Sequence, residues 1–238
     1  MTATAQTATA AAWTRTPTPT RTFTPTSTST PTSTFTPTAS STPTITPTPT
    51  ITPSPTFDFP KVTVNKAAAA CLWGPAKAYL YAWDLRAGDT GTVYGRAPYG
   101  SNWLYVRMDR VGKYCWVSPY VVDVVGDPHT VIVETVRLPI TNALYAPPTN
   151  VRAERQGDQV IVSWDLVWMT EDDDRGYFLN VWVCQNGKYV WIPIGLPDQY
   201  TTSVTFTDQP GCSLPSGGQL YTVEKHGYTS PVDIPWPP

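Results

Sequence analysis

Between Thr14 and Thr56 every even-numbered residue is Thr or Ser, and Pro recurs at positions 19, 25, 31, 37, 43, 49 and 55. Each Pro fixes φ and deletes a backbone donor, and the segment holds no sizeable apolar set to bury, so a packed core is excluded. In polyproline II, with three residues per turn, Pro at every sixth position falls on one face while the alternate hydroxyls spread around all three. An extended strand would line the hydroxyls along a single face, but repeated Pro removes ladder donors and disfavours it. Residues 1–57 are therefore expected to form a disordered or polyproline II low-complexity stalk that O-linked glycans can sheathe. At ~3.1 Å per residue, about forty such residues reach roughly 130 Å when fully stiff. An unmodified disordered linker is the plainer reading of the same residues.

Stalks of this composition make most sense outside a cell, yet MTATAQTATAAAW has neither a basic start nor a continuous apolar run of the kind a secretory signal needs. The expectation is a secreted or surface-held protein whose Met1 lies inside a longer reading frame, or whose export signal or anchor is missing. No later stretch approaches the ~18 apolar residues that would cross a bilayer. Beyond the stalk, which carries Arg15 and Arg21 and no acid, 14 basic residues face 18 acidic ones. With no basic field to gather phosphates, a nucleic-acid partner is not expected.

At Phe57 the Thr-Pro alternation stops and Trp, Tyr, Val and Gly take over. Over 58–128, short runs such as Val62–Val64, Asp89–Tyr94, Trp103–Met108 and Tyr114–Val117 are separated by turn signals at Gly74-Pro75, Ala87-Gly88 and Pro98-Tyr99-Gly100. No helical period of useful length interrupts them, so a small all-β barrel is expected. The order Cys71-Leu-Trp-Gly74-Pro75, Leu85-Arg-Ala-Gly88-Asp89, Gly95-Arg96, Trp103-Leu-Tyr-Val106 and Cys115-Trp116-Val117-Ser118 resembles the bacterial Src-homology-3-type (SH3) domain. That resemblance implies a five- to six-stranded barrel and a cell-wall or surface binding module. Leu72 and Trp73 stand where the family usually has an Arg before Gly-Pro, so no role of that Arg carries over.

If Leu104, Val106 and Met108 point inward, Trp103, Tyr105 and Arg107 form an outer face, and Tyr79, Tyr81 and Trp83 alternate in the same manner. These six residues are the candidate ligand-binding set, because flat aromatic surfaces pair with the CH-rich faces of sugars. The same rings can instead pack under a loop or against the next domain. Residues 129–146 form a connector whose run Val131-Ile-Val-Glu-Thr-Val136 is too β-branched for a free linker and reads as a docked strand. His129, beside Pro128, reads as an exposed loop residue.

From 147 to 238 the strand-like runs Val160–Trp164, Tyr177–Cys184, Tyr189–Ile192, Ser203–Thr207 and Gln219–Glu224 are spaced as in a β-sandwich. Pro147-Pro148, Val151-Arg-Ala, Trp164, Tyr177-x-Leu-x-Val, Tyr221-Thr-Val223 and Gly227-Tyr-Thr-Ser230-Pro resemble a fibronectin type III domain, an Ig-like sandwich. The resemblance implies that Trp164 and Tyr221 sit in the core as scaffold. If Leu179 and Val181 face inward, Phe178, Asn180 and Trp182 share the other face, where aromatics mark either a partner or glycan site or domain packing.

Four Cys allow three pairings. Given the two folded segments, Cys71 with Cys115 lies within the first and Cys184 with Cys212 within the second, and such bridges persist in oxidising compartments. A metal site is not expected, since neither CxxC spacing nor a nearby His accompanies the Cys. Nor is catalysis: no Gly-x-Ser-x-Gly elbow surrounds a Ser, and the adjacent acids of Glu171-Asp-Asp-Asp174 cannot flank a glycosidic bond from opposite sides. The same run lacks the alternate spacing that aims acids at one Ca²⁺, so it reads as a solvated loop. His226, after Glu224 and Lys225, reads as exposed. The expectation is a non-catalytic, cofactor-free extracellular protein that binds cell-wall or extracellular polysaccharide. The alternative is an adhesion, spacer or surface-fibre protein acting through protein contacts or self-association.

Overall fold

Alternating side chains build the first half of the described chain. In β5 (Leu104–Met108), Leu104, Val106 and Met108 are buried while Tyr105 and Arg107 turn outward. The computed structural model describes residues 57–171 and 173–238, so the Thr/Pro stalk and Asp172 lie outside the described residues. Within them the protein is all-β, built from several antiparallel sheets. β1 (Lys61–Val64), β2 (Ala68–Leu72), β3 (Tyr81–Arg86), β4 (Thr90–Arg96), β5, β6 (Lys113–Val117) and β7 (Val122–Val125) run in the order β3-β2-β6-β5-β4-β1-β7. A short β8 (Ile132–Val133), from the connector, adds in parallel to the end of β4 through Gly95 and Arg96. The core of this sheet includes Val62, Leu85, Val93, Val106 and Met108, and the Cys71–Cys115 disulfide runs through it.

The second half has two facing sheets. β9 (Arg152–Gln156), β10 (Gln159–Ser163) and β13 (Ser203–Thr207) form one, in the order β13-β10-β9. β11 (Gly176–Gln185), β12 (Lys188–Leu196), β14 (Gly217–Glu224), β15 (Gly227–Tyr228) and β16 (Val232–Asp233) form the other. The β11–β12 hairpin closes on Asn186-Gly187, at φ 52° and 70°, the pair that a two-residue turn matching the strand twist requires. Val160, Val162, Trp164, Leu179, Val181 and Leu220 fill the space between the sheets.

The Cys184–Cys212 disulfide ties the end of β11 to the loop before β14. Beside it, the Asp208 carboxylate, with 3% of its side chain exposed, accepts from the Cys184 amide at 2.9 Å, Trp236 Nε1 at 2.9 Å and Arg155 at 2.6 Å. Burial alone would raise its pKa, but these bonds and one from Ser216 outweigh it and hold the carboxyl below the ordinary Asp range.

A third cluster joins the halves. Leu72, Tyr79 and Leu80 of the first half pack on Phe178, Tyr221, Val223 and Tyr228 of the five-stranded sheet. Tyr79 and Phe178 lie 4.7 Å apart between ring centroids, and Tyr228 Oη accepts a buried bond from the Leu80 amide at 2.8 Å. The fibronectin resemblance implies Tyr221 within the sandwich core, and the structure differs. Leu220 faces that core, so alternation along β14 turns Tyr221 and Val223 to the opposite face, against the first half. Trp164 does lie in the sandwich core, edge-on to Tyr177. The connector closes the seam: Val136 and Leu138 pack on the cluster, and the Tyr228 amide donates to Pro139 O at 3.0 Å. Gly195 marks the closest approach, since a Cβ there would sit 2.7 Å from the Ala78 carbonyl oxygen.

Gly195→Ala is expected to force these backbones apart and to cost about 1–3 kcal/mol in urea unfolding, whereas Gly187→Asn, away from the seam, costs less. Burial raises the pKa of Tyr221 to about 12 and those of Tyr79 and Tyr228 further still. Below pH ~10 all three are protonated in both states. As pH climbs beyond that the unfolded chain ionises first and stability falls. Absorbance at 295 nm should therefore show a late tyrosine ionisation coincident with loss of near-UV dichroism. For Asp208 the sign is opposite: its stabilisation is present above the ordinary Asp pKa and is lost as pH falls through the lowered native value. Asp208→Asn is expected to cost about 3 kcal/mol at neutral pH and to flatten the acid side of the melting-temperature profile.

Candidate functional site

The face of the five-stranded sheet that meets the first half is only partly covered. Cross-strand pairs put Phe178 beside Gly195 and Tyr221, Asn180 beside Pro193 and Gln219, and Trp182 beside Trp191. Phe178 and Tyr221 are buried in the seam. Beyond them, Asn180, Trp182, Trp191 and Gln219 remain half-buried and line a cleft of about 880 Å³. Its opposite wall is the loop from Arg96 to Asn102 with the segment from Val133 to Leu138, and Tyr79 lines it from the seam. Pockets of this size take small-molecule ligands.

Three rings shape the open part. Tyr99, 62% exposed, approaches Trp182 at 5.8 Å and Trp191 at 5.6 Å between centroids. It adopts φ 57°, a left-handed conformation that costs a non-glycine residue on the order of 1 kcal/mol. The Ser101 amide, donating to Pro98 O, and the Ser101 hydroxyl, donating to Pro75 O, hold this turn. Trp191 Nε1 donates to Asn180 Oδ1 at 2.6 Å, which fixes the indole and turns the amide NH₂ of Asn180 away from that bond. Tyr221 Oη donates to Gln219 Oε1 at 2.8 Å, and Gln219 Nε2 donates to Asp233 Oδ1 at 3.1 Å. Flat apolar faces thus stand beside fixed amides and one guanidinium, that of Arg96. Such a set can hold a ring with CH on its faces and hydroxyls on its edge.

The six residues singled out in the first half do not assemble into one site. Tyr79 is buried, lines the cleft and joins the seam. Trp103 is half-buried against the seam. Tyr81 is exposed, while Trp83 packs on the core of the first sheet, 6.3 Å from Trp73. A bulge in β3, where Tyr81 and Trp83 pair with the adjacent Leu72 and Cys71, breaks the simple alternation along this run. Tyr105 stacks on Tyr114 at 5.5 Å and leans on Trp116 at 5.1 Å, and Arg107 is exposed. Burial, then the Glu134 carboxylate, raises the Tyr105 pKa.

That ring belongs to a ladder in which Tyr114 meets Tyr94 at 5.4 Å, Tyr94 meets Phe59 at 4.9 Å and Phe59 meets Phe57 at 4.7 Å. Trp182 carries a visible signal in its alternation with Leu179 and Val181, while Trp191 lies within an ordinary strand run, Tyr99 is concealed inside a Pro-Tyr-Gly turn, and Arg96 and Gln219 are concealed by their strand context. His129, with its side chain 83% exposed, pairs with Asp127 at 2.9 Å, and His226 pairs with the buried Glu224 at 2.7 Å. In the acidic loop, Glu171, Asp173 and Asp174 are exposed and Glu171 lies 3.8 Å from Arg175. Among the described residues, no group of three or more His, Cys, Asp or Glu is placed to hold a metal ion, and no helix is long and apolar enough to cross a membrane.

No family model matches this sequence, and comparisons with curated proteins and with solved structures found no match.

Proposed function

We propose that this chain is a non-catalytic extracellular or cell-surface protein that binds a cell-wall or extracellular glycan in the cleft beside its seam. On this reading the first half is a bacterial SH3-like barrel, the second a fibronectin type III-like sandwich, and the Thr/Pro repeat an O-glycosylated stalk that presents them. The observation that carries it is the pairing of Tyr99, Trp182 and Trp191 with the fixed amides of Asn180 and Gln219 in one cleft. Aromatic faces supply contact area to sugar rings at small entropic cost, and amides answer the hydroxyls. The two disulfides are compatible with an oxidising, extracellular setting. The cleft suits a glycan better than the outer face of the first sheet, because Trp103 packs against the seam and Tyr105 stacks on Tyr114.

The burial of Trp103 against the seam favours a second reading, in which the two halves form a rigid spacer or adhesion unit acting through protein contacts. Cosedimentation of the full chain with purified bacterial cell walls and insoluble polysaccharides separates the two. Retention that falls at least tenfold in Trp182→Ala and Tyr99→Ala, with unchanged far-UV dichroism, is the expected result. Retention on no polymer, or retention untouched by both substitutions, contradicts the cleft as a glycan reader.

A further inference from the structure

The wall of the cleft carries charge chemistry that neutral-sugar recognition does not use. Arg96 closes β4 and lines the cleft, half-buried, with its Nε shielded from solvent and without a hydrogen-bond partner. Among the described residues it makes no ion pair. Nearby, the Tyr79 hydroxyl is likewise shielded and unpartnered. A shielded N–H left without an acceptor costs free energy, and an anion that accepts from it offsets that cost.

The other charges bordering the cleft do not neutralise it. Glu134 reaches the cleft rim, but its carbon chain crosses Gly95 and its carboxylate acts on Tyr105, on the side of the tyrosine ladder. Arg137 opposes that effect at Tyr105, and His129 is engaged by Asp127.

We propose that the cleft selects a carboxylated sugar, with the Arg96 guanidinium taking the carboxylate and Tyr99, Trp182 and Trp191 holding the ring. This rests on the glycan-binding reading above and narrows it to one substrate class. A planar fork of N–H donors matches a carboxylate in two parallel bonds, which a neutral hydroxyl cannot reproduce. With one cation and one carboxylate on its border, the cleft suits isolated carboxylates better than a densely sulfated or phosphorylated chain.

Calorimetric titration of the full chain with carboxylated oligosaccharides, each beside its own carboxyl-reduced form, tests this. The probes are oligomers of galacturonate, guluronate, glucuronate with N-acetylglucosamine, and muramic acid-containing cell-wall fragments. At least one acidic form is expected to bind about tenfold or more tightly than its reduced partner. That preference should shrink between 50 and 500 mM NaCl and vanish in Arg96→Gln, while Arg96→Lys keeps part of it. Equal affinity within every pair, with binding still lost in Trp182→Ala, overturns the carboxylate assignment and leaves the glycan reading standing. Binding of neither member of any pair overturns both. Should Arg96→Gln fail to fold, the reduced pairs and the salt series on the native chain decide alone.

Discussion

The arrangement depends on a seam of aromatic side chains between two β structures. Tyr79 and Leu80 come from one, Phe178, Tyr221 and Tyr228 from the other, and the bond from the Leu80 amide to Tyr228 Oη registers them. Large rings bury extensive apolar area, and a buried amide that lost its acceptor would cost about 1–3 kcal/mol. The connector strengthens the same contact by running Val136 and Leu138 over the cluster before its Pro139 carbonyl meets the Tyr228 amide. The two halves therefore belong to one compact unit.

The cleft is the unfinished end of that seam. One face of β11, β12 and β14 carries Phe178, Gly195, Tyr221 and Val223 where the first half covers it. It carries Asn180, Trp182, Trp191 and Gln219 where coverage stops. Seam and site thus share strands and register, and the rings that would hold a ligand are braced by those holding the molecule together. Tyr99 is the exception, on a turn whose left-handed backbone is maintained by Ser101. Rings already held in place by the seam and by the Trp191–Asn180 bond need little reorganisation to bind, which favours affinity.

Much of the fold was legible because burial follows period two. Leu104, Val106 and Met108, and again Leu179, Val181 and Val183, are readable as inward faces from alternation alone, and the structure buries each of them. The disulfides were readable too, since pairing within each segment left one solution, which the structure contains. What alternation cannot say is what covers the outward face. Phe178, Asn180 and Trp182 share a face by period, but whether a ring there meets solvent, a ligand or another sheet depends on contacts between segments far apart in the chain. The fibronectin resemblance implies Tyr221 in the core of one sandwich, and it faces the seam instead, while the outward Trp103, open in sequence to a ligand or to packing, is half-covered by the seam. Arg96 and Gln219 gain meaning only from their position across the cleft.

The most direct measurement is a titration of the full chain, uniformly ¹⁵N-labelled, with a binding oligosaccharide while the tryptophan indole N–H resonances are followed. The cleft as a glycan site predicts progressive shifts at Trp182 and Trp191, with the buried Trp116 and Trp164 unmoved. Shifts at Trp116, beneath the Tyr105–Tyr114 ladder, with Trp182 and Trp191 unchanged, would contradict it and return the ligand to the outer face of the first sheet.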